Sequence, residues 1–110
     1  MTLNEILQKI AHLNIEEKRT ISEQYSELVF LNKDIEELHK IFAEIFGHPE
    51  KERGAKPSKD ISNLTKDYGG VRENQTLFKK NETQTIIIAM LWPWGDNIHT
   101  TLKMATISSR

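Results

Sequence analysis

Apolar residues recur at helical spacing at the start of the chain. Thr2 followed by Glu5 fits a capping box, in which each side chain satisfies a backbone amide at the helix start. The apolar positions that follow, three or four residues apart, are Leu3, Ile6, Leu7, Ile10 and Leu13. This pattern predicts a first helix from about residue 3 to 12.

A second helical pattern runs from about residue 15 to 46, where Gly47 and Pro49 supply stop signals. Its a and d heptad positions stay in phase and form a predicted dimer seam: Leu28, Leu31, Ile35, Leu38, Phe42 and Ile45. Asn32 and Asp34 offer an alternative, in which a turn near Asn32 breaks the helix in two. We expect one continuous helix, because a turn has no reason to preserve the heptad phase.

A continuous helix of this length predicts a homodimer. It would extend roughly 48 Å at 1.5 Å per residue, which is longer than so small a domain can cover. The first helix packs along only one end of it, as a helical hairpin. The remaining seam is therefore expected to pair with the same helix of a second copy.

The middle of the chain has the composition of an exposed connector. The stretch from Gly47 to Pro57 contains almost no apolar residues and many charges. After it, Ser58 is a helix cap, and the glycine pair at Gly69 and Gly70 is a stop signal. We expect a short helix between them, with Ile61, Leu64 and Tyr68 on one face.

The last part of the chain predicts a three-stranded antiparallel meander. Two extended runs flank KKNET, and the β-branched segment TQTIII indicates a buried central strand. Beyond the bend at WPWGDN, the alternation in IHTTLKMATI is typical of an edge strand with one wet face, which carries His99, Thr101 and Lys103. The predicted fold is therefore a single α+β domain over residues 1–110. Its parts are a helical part (1–47), a basic connector with a short helix (48–70) and the β-meander (71–110).

The WPWGDN bend holds both tryptophans, and they are the candidate partner-binding residues. Pro93 cannot donate to a strand ladder and ends the central strand, so Trp92 and Trp94 project to the same side. The pair either caps the open end of the core or forms an aromatic platform for a protein, peptide or small ligand. We expect Trp92 to be the core residue and Trp94 to be the exposed one.

Charge is distributed in blocks along the chain. Residues 1–50 carry 5 basic and 10 acidic side chains, whereas residues 51–80 carry 8 basic and 4 acidic ones. The basic block offers four candidate contacts for an anion or a nucleic acid: Lys56, Lys59, Lys66 and Arg72. Interspersed acids and the lack of a binding motif favour a solvated linker over a nucleic-acid site.

The sequence predicts no catalytic residue, metal site or cofactor. Glu36 and His39 have the spacing of bundle metal ligands, but they flank the predicted seam, which favours a solvated helical face. Asp96 and His99 are expected to hold their turn. A motif-free nuclease would use Arg72, Tyr68, His99 and Lys103, by analogy of fold alone.

These patterns predict a small cytoplasmic interaction or accessory protein that homodimerises through its long helix and also binds another protein. The chain has no cysteine, its first residues lack a secretory pattern, and its longest apolar run, IIIAMLWPW, is too short to cross a bilayer. The alternative is a small nucleic-acid-binding or nucleolytic protein that uses the basic connector and the sheet edge.

Overall fold

The structure is a computed structural model that describes residues 1–108. It contains three helices and five strands, with short 3₁₀ turns at Asn32–Asp34 and Lys66–Tyr68. The elements in chain order are α1 (Leu3–Ile10), β1 (Ile15–Ile21), β2 (Tyr25–Leu31), α2 (Ile35–Phe46), α3 (Lys59–Thr65), β3 (Thr76–Asn81), β4 (Thr85–Pro93) and β5 (His99–Ser108). The α+β class predicted from the sequence is confirmed.

All five strands form one antiparallel sheet in the order β1-β2-β5-β4-β3. Strand β5 is the middle strand, and it pairs with β4 on one side and β2 on the other. The predicted meander is therefore only part of a larger sheet. The prediction that β5 is an edge strand is wrong, because β2 occupies its second edge.

Helices α1 and α2 cover one face of the sheet, which we call the first face. Their apolar stripes supply Ile6, Ile10, Leu38 and Phe42 to the main core. Helix α1 begins at the capping box that its sequence indicates, with Glu5 N 3.2 Å from Thr2 Oγ1 and Thr2 N 3.0 Å from Glu5 Oε1. The sheet residues of this core are Leu28, Phe30, Phe78, Ile87, Ala89, Leu91, Leu102 and Met104.

Helix α3 and the turn after it cover part of the opposite face, the second face. Ser58 caps this helix through the backbone N–H of Ile61, as its sequence indicates. Ile61, Leu64 and Tyr68 pack against a smaller core that contains Met90 and Ile88. Helix α3 lies over the β3–β4–β5 side of the second face, and Tyr68 in the turn after it reaches β2, where it stacks on Tyr25.

The long helix over residues 15–46 is absent, and this prediction is wrong. Residues 15–31 form the β1–β2 hairpin, and only Ile35–Phe46 are helical in this stretch. Tyr25, Val29 and Phe30 are β-branched or aromatic, and β2 alternates between the two faces in register with β5. Pairing with a distant strand decides the structure here, and heptad spacing within one segment does not contain that information.

Hydrogen bonds join Asn14, just before β1, to Asp34, just before α2. The backbone N and the side-chain Nδ2 of Asn14 both donate to Asp34 Oδ2, at 2.6 and 2.7 Å. Asp34 precedes α2 without capping it through its own side chain. The pair therefore ties the start of β1 to the start of α2, and the chain does turn near Asn32, but between a strand and a helix.

The predicted dimer seam is part of the protomer's own core. Leu28 lies in β2, whereas Leu38 and Phe42 lie in α2 and are fully buried, with 0% exposure. Ile35 and Ile45 pack at the border of the same core, and Leu31 ends β2. A surface that is already covered within one chain provides no seam for a second copy, so the basis of the homodimer prediction is removed.

This assignment of the seam makes a testable prediction about Leu38. Leu38→Ala should lower the free energy of unfolding by about 2–5 kcal/mol, because it leaves a cavity in a packed core. Urea unfolding followed by circular dichroism measures the change, and Glu44→Ala, at an exposed position of the same helix, is the control. A midpoint that rises with protein concentration would instead support a seam shared between two copies.

Candidate functional site

The WPWGDN segment forms the turn between β4 and β5. Strand β4 ends at Pro93, and the backbone N–H of Trp94 donates to His99 O at 2.9 Å, which closes the loop. Asn97 lies inside the loop with a φ of 60°, a left-handed conformation that asparagine tolerates better than most residues. Both tryptophans therefore sit at a fixed end of the central hairpin.

Asp96 holds this turn through three hydrogen bonds. Its Oδ1 accepts the backbone N–H groups of Ile98 and His99 at 2.9 and 3.1 Å, and its Oδ2 lies 2.6 Å from His99 Nδ1. The bond with the His99 ring, followed by the backbone bonds, lowers the pKa of Asp96 from 3.8 to about 2. Asp96 and His99 thus hold their turn, as the sequence indicates.

Trp94 lies on the second face, above strand β5. Its Nε1 donates to Thr101 Oγ1 at 2.8 Å, and its ring centroid is 4.6 Å from that of His99. The guanidinium carbon of Arg19, on β1, lies 5.6 Å from the indole centroid. The ring is half-buried, and it is held by contacts from the sheet, from its own turn and from the edge strand.

Trp92 lies on the same face, nearer to α3. The ammonium of Lys103 is 3.6 Å from its ring centroid, which is a cation–π contact. Gly69, with a φ of +96°, approaches so closely that an added Cβ would lie 2.5 Å from the indole. Trp92 is also half-buried, and its Nε1 is buried without a hydrogen-bond partner among residues 1–108. The expected contrast of one core and one exposed ring is therefore not observed.

A carboxylate connects these aromatic residues to the edge strand. Glu27 Oε1 accepts the Tyr25 hydroxyl at 2.7 Å, and Glu27 Oε2 is 3.3 Å from Arg19 Nη1. Burial disfavours the charged form of Glu27, but the bonds from Tyr25 and Arg19 outweigh it and lower its pKa. Burial, together with the bond to Glu27, raises the pKa of Tyr25. The ring of Tyr25 stacks on Tyr68 with centroids 5.7 Å apart.

These contacts form one continuous row of side chains across the second face, which we call the tryptophan face. The row consists of Asp96, His99, Trp94, Arg19, Glu27, Tyr25 and Tyr68, with Lys103 and Trp92 beside it. Each member is within contact distance of its neighbour. Most donors and carboxylates of this row are satisfied by one another.

Strands β1, β2 and β5 supply most of this row, and sequence reasoning missed its β1 and β2 members. Arg19, Tyr25 and Glu27 were assigned to a long helix. The available signal was the β-branched and aromatic content of YSELVFL, and Tyr25 and Glu27, two apart, lie on the second face. Thr101 and Lys103 of the predicted wet face are on this side too, although Thr101 is buried beneath Trp94.

The remaining predicted site residues lie elsewhere. Lys56 is in the connector and Lys59 is in α3; both are exposed, as is Lys66 just after that helix. Arg72 lies in the loop before β3, next to a separate cleft. Of the residues considered for a motif-free nuclease, Tyr68, His99 and Lys103 share the second face, but Arg72 does not join them.

Comparisons of the chain with protein-family models, curated proteins and solved structures find no match. Within residues 1–108, no group of three or more potential ligands is arranged to hold a metal ion, and no helix has the length and apolarity to span a membrane. The candidate site is therefore characterised by its own geometry.

The His39 ring packs edge-on against Phe78, with centroids 5.8 Å apart.

The turn makes a prediction about pH. Because the pKa of Asp96 is lowered on folding, its contribution to stability is complete above about pH 4 and is lost as the pH falls toward about 2. Asp96→Asn should therefore lower the thermal midpoint near pH 6, and its difference from the wild type should shrink steadily as the pH falls from about 4 toward about 2. Asp67→Asn, at an exposed acid after α3, is the control. An Asp96→Asn difference that stays constant across this range would contradict the assignment.

Proposed function

We propose that this chain is an interaction or accessory protein that binds another protein through the tryptophan face. The observation that carries the proposal is the continuous row of contacts linking Trp94, Arg19 and Tyr25 across strands β1, β2 and β5. Tryptophan, arginine and tyrosine are the residue types that dominate binding energy at protein interfaces. Because contacts within the row fix the side chains, little conformational entropy remains to be lost when a partner binds.

The chemistry of the partner follows from the groups at the border of the face. Ile98, the turn residue that precedes His99, is 55% exposed and offers an apolar side chain at the tip of the turn. Glu17, on β1, lies 3.2 Å from Arg19 Nε but has 54% of its side chain exposed, and the Asp96 side chain is 36% exposed. A complementary partner therefore presents an apolar side chain flanked by lysine or arginine.

The proposal does not include self-association through α2, because Leu38 and Phe42 are buried in the protomer's own core. It also does not assign nucleic acid to this face. The exposed carboxylates of Glu17 and Asp96 repel phosphates, and the basic side chains Arg19 and Lys103 are engaged with aromatic rings within the chain. The partner is thus a different protein with a basic, partly apolar contact segment.

Selection of peptides from a random phage-displayed library tests the proposal. Peptides that bind the wild-type protein should be enriched in lysine or arginine next to a large apolar residue. Glu17→Lys should weaken their binding more than about tenfold, because it places like charges opposite each other at the contact. Ile98→Ser should also weaken binding by removing the apolar contact, and neither exposed position should change the thermal midpoint appreciably.

The control is Glu44→Lys, which makes the same charge change on α2, on the opposite side of the sheet. Its binding to the selected peptides should stay within about twofold of wild type, since exposed charges more than a Debye length apart are largely screened. Peptides that bind Glu17→Lys and Glu44→Lys equally well would place the contact elsewhere and refute the proposal. Enrichment of acidic peptides would also contradict it.

A further inference from the structure

An open cleft lies beside the start of β3, away from the tryptophan face. It has a volume of about 490 Å³ and is lined by Arg53, Gly54, Arg72, Glu73 and Asn74. Arg53 also borders an adjoining recess of about 60 Å³, which reaches His39, Thr76 and Thr100 on the first-face side. Arg53 lines both spaces, which we together call the arginine cleft, and the smaller space is its inner recess.

The backbone on both sides of the arginine cleft is fixed by hydrogen bonds. Gly54 N donates to Glu73 O at 2.6 Å, and Lys51 exchanges two backbone bonds with Leu77, at 3.2 and 2.9 Å. The ammonium of Lys51, a buried residue, donates to Glu73 O and Gln75 O at 2.8 and 2.6 Å. Arg53 and Arg72 therefore project from two segments that are held side by side.

The segment that carries Arg72 forms a turn that is closed by two hydrogen bonds. Arg72 N donates to Gln75 Oε1 at 2.8 Å, and Gln75 N donates back to Arg72 O at 3.1 Å. Gln75 is buried, so this turn is anchored at the edge of the sheet. Such a turn presents Arg72 from a defined backbone position, which lowers the conformational cost of binding a ligand.

Among residues 1–108, the charged residues that line the arginine cleft are two arginines and one glutamate. These residues are Arg53, Arg72 and Glu73, and the ammonium of Lys51 donates to the backbone oxygen of Glu73. Over residues 1–108, neither Arg53 nor Arg72 forms an ion pair. Both side chains are exposed and available to a ligand. The cleft is therefore locally positive in a chain of formal net charge −1.

We propose that the arginine cleft binds the phosphate group of a small phosphate monoester. A guanidinium group can donate two parallel hydrogen bonds to two oxygens of a phosphate, and two arginines that line one cleft can bind the same phosphate. The inner recess, with the Thr76 and Thr100 side chains and the His39 ring at its border, accommodates the small group esterified to the phosphate. Burial lowers the pKa of His39, which favours its neutral imidazole as a hydrogen-bonding group in the recess.

Amide NMR titrations of the full chain with inorganic phosphate, methyl phosphate and acetate test this proposal. Both phosphates should shift the amides of residues 53–54 and 72–74 with saturation at roughly millimolar concentration, as expected for so small a ligand. Acetate should bind at least about tenfold more weakly, since its two oxygens can form a bidentate pair with only one guanidinium group. Methyl phosphate should additionally shift Thr76 and Thr100, which inorganic phosphate does not reach.

Matched variants distinguish a defined binding site from nonspecific electrostatic attraction of anions. Arg53→Gln and Arg72→Gln should each weaken methyl phosphate binding about tenfold or more, because each removes one guanidinium group that binds the phosphate. Lys56→Gln removes the same charge from the neighbouring connector and should change binding less than about twofold. The same spectra report whether each variant is folded, so a loss of binding is distinguished from a loss of structure.

Several outcomes would overturn the proposal. Shifts that never saturate, or an equal effect of Lys56→Gln and Arg72→Gln, would mean diffuse attraction without a site. A single-stranded ten-nucleotide DNA provides the other control. Tighter binding of this DNA than of methyl phosphate, with shifts spread over residues 56–66, would instead assign the basic region to nucleic acid.

Discussion

The pairing of β2 with β5 is the interaction on which the rest of the structure depends. Seven residue pairs join segments that lie about 70 positions apart in the chain. Through them the acidic N-terminal hairpin and the C-terminal β3–β4–β5 meander become one sheet. The wider sheet then accommodates both α1 and α2 on its first face. On its second face it includes the side chains of β1 and β2. Without this pairing, Arg19 and Glu27 would not approach Trp94, and no tryptophan face would exist.

Signals that act over a few residues were sufficient to predict several elements. The capping box at Thr2, the cap at Ser58 and the turn held by Asp96 all depend on neighbouring residues, and the structure contains each of them. The buried strand in TQTIIIAMLW was also predictable, because a run that is apolar on both faces needs cover on both. The face shared by Ile61, Leu64 and Tyr68 follows from helical spacing in the same way.

Elements that depend on distant partners were not predictable from these patterns. Leu28, Ile35 and Phe42 keep a seven-residue spacing, yet Leu28 faces the core from a strand and the other two from a helix. Both arrangements bury the same residues, so an apolar pattern cannot distinguish them. The same limit applies to the candidate site. The two tryptophans are evident in the sequence, but Arg19 approaches Trp94 only because β1 pairs with β2 and β2 pairs with β5. Arg53 and Arg72 meet because Lys51 and Gly54 bond to the segment before β3.

The most direct test of this account is an engineered disulfide between β2 and β5, which the cysteine-free chain makes simple to interpret. Glu27 and Lys103 are directly opposed partners, and opposed residues in antiparallel strands have the spacing that a disulfide requires. Glu27→Cys combined with Lys103→Cys should form an intrachain disulfide on mild oxidation, detected by mass spectrometry. Glu27→Cys combined with Ala105→Cys, a diagonal pair, should not. Failure of the first pair to bridge, or bridging only between chains, would contradict the β2–β5 pairing and the tryptophan face built on it.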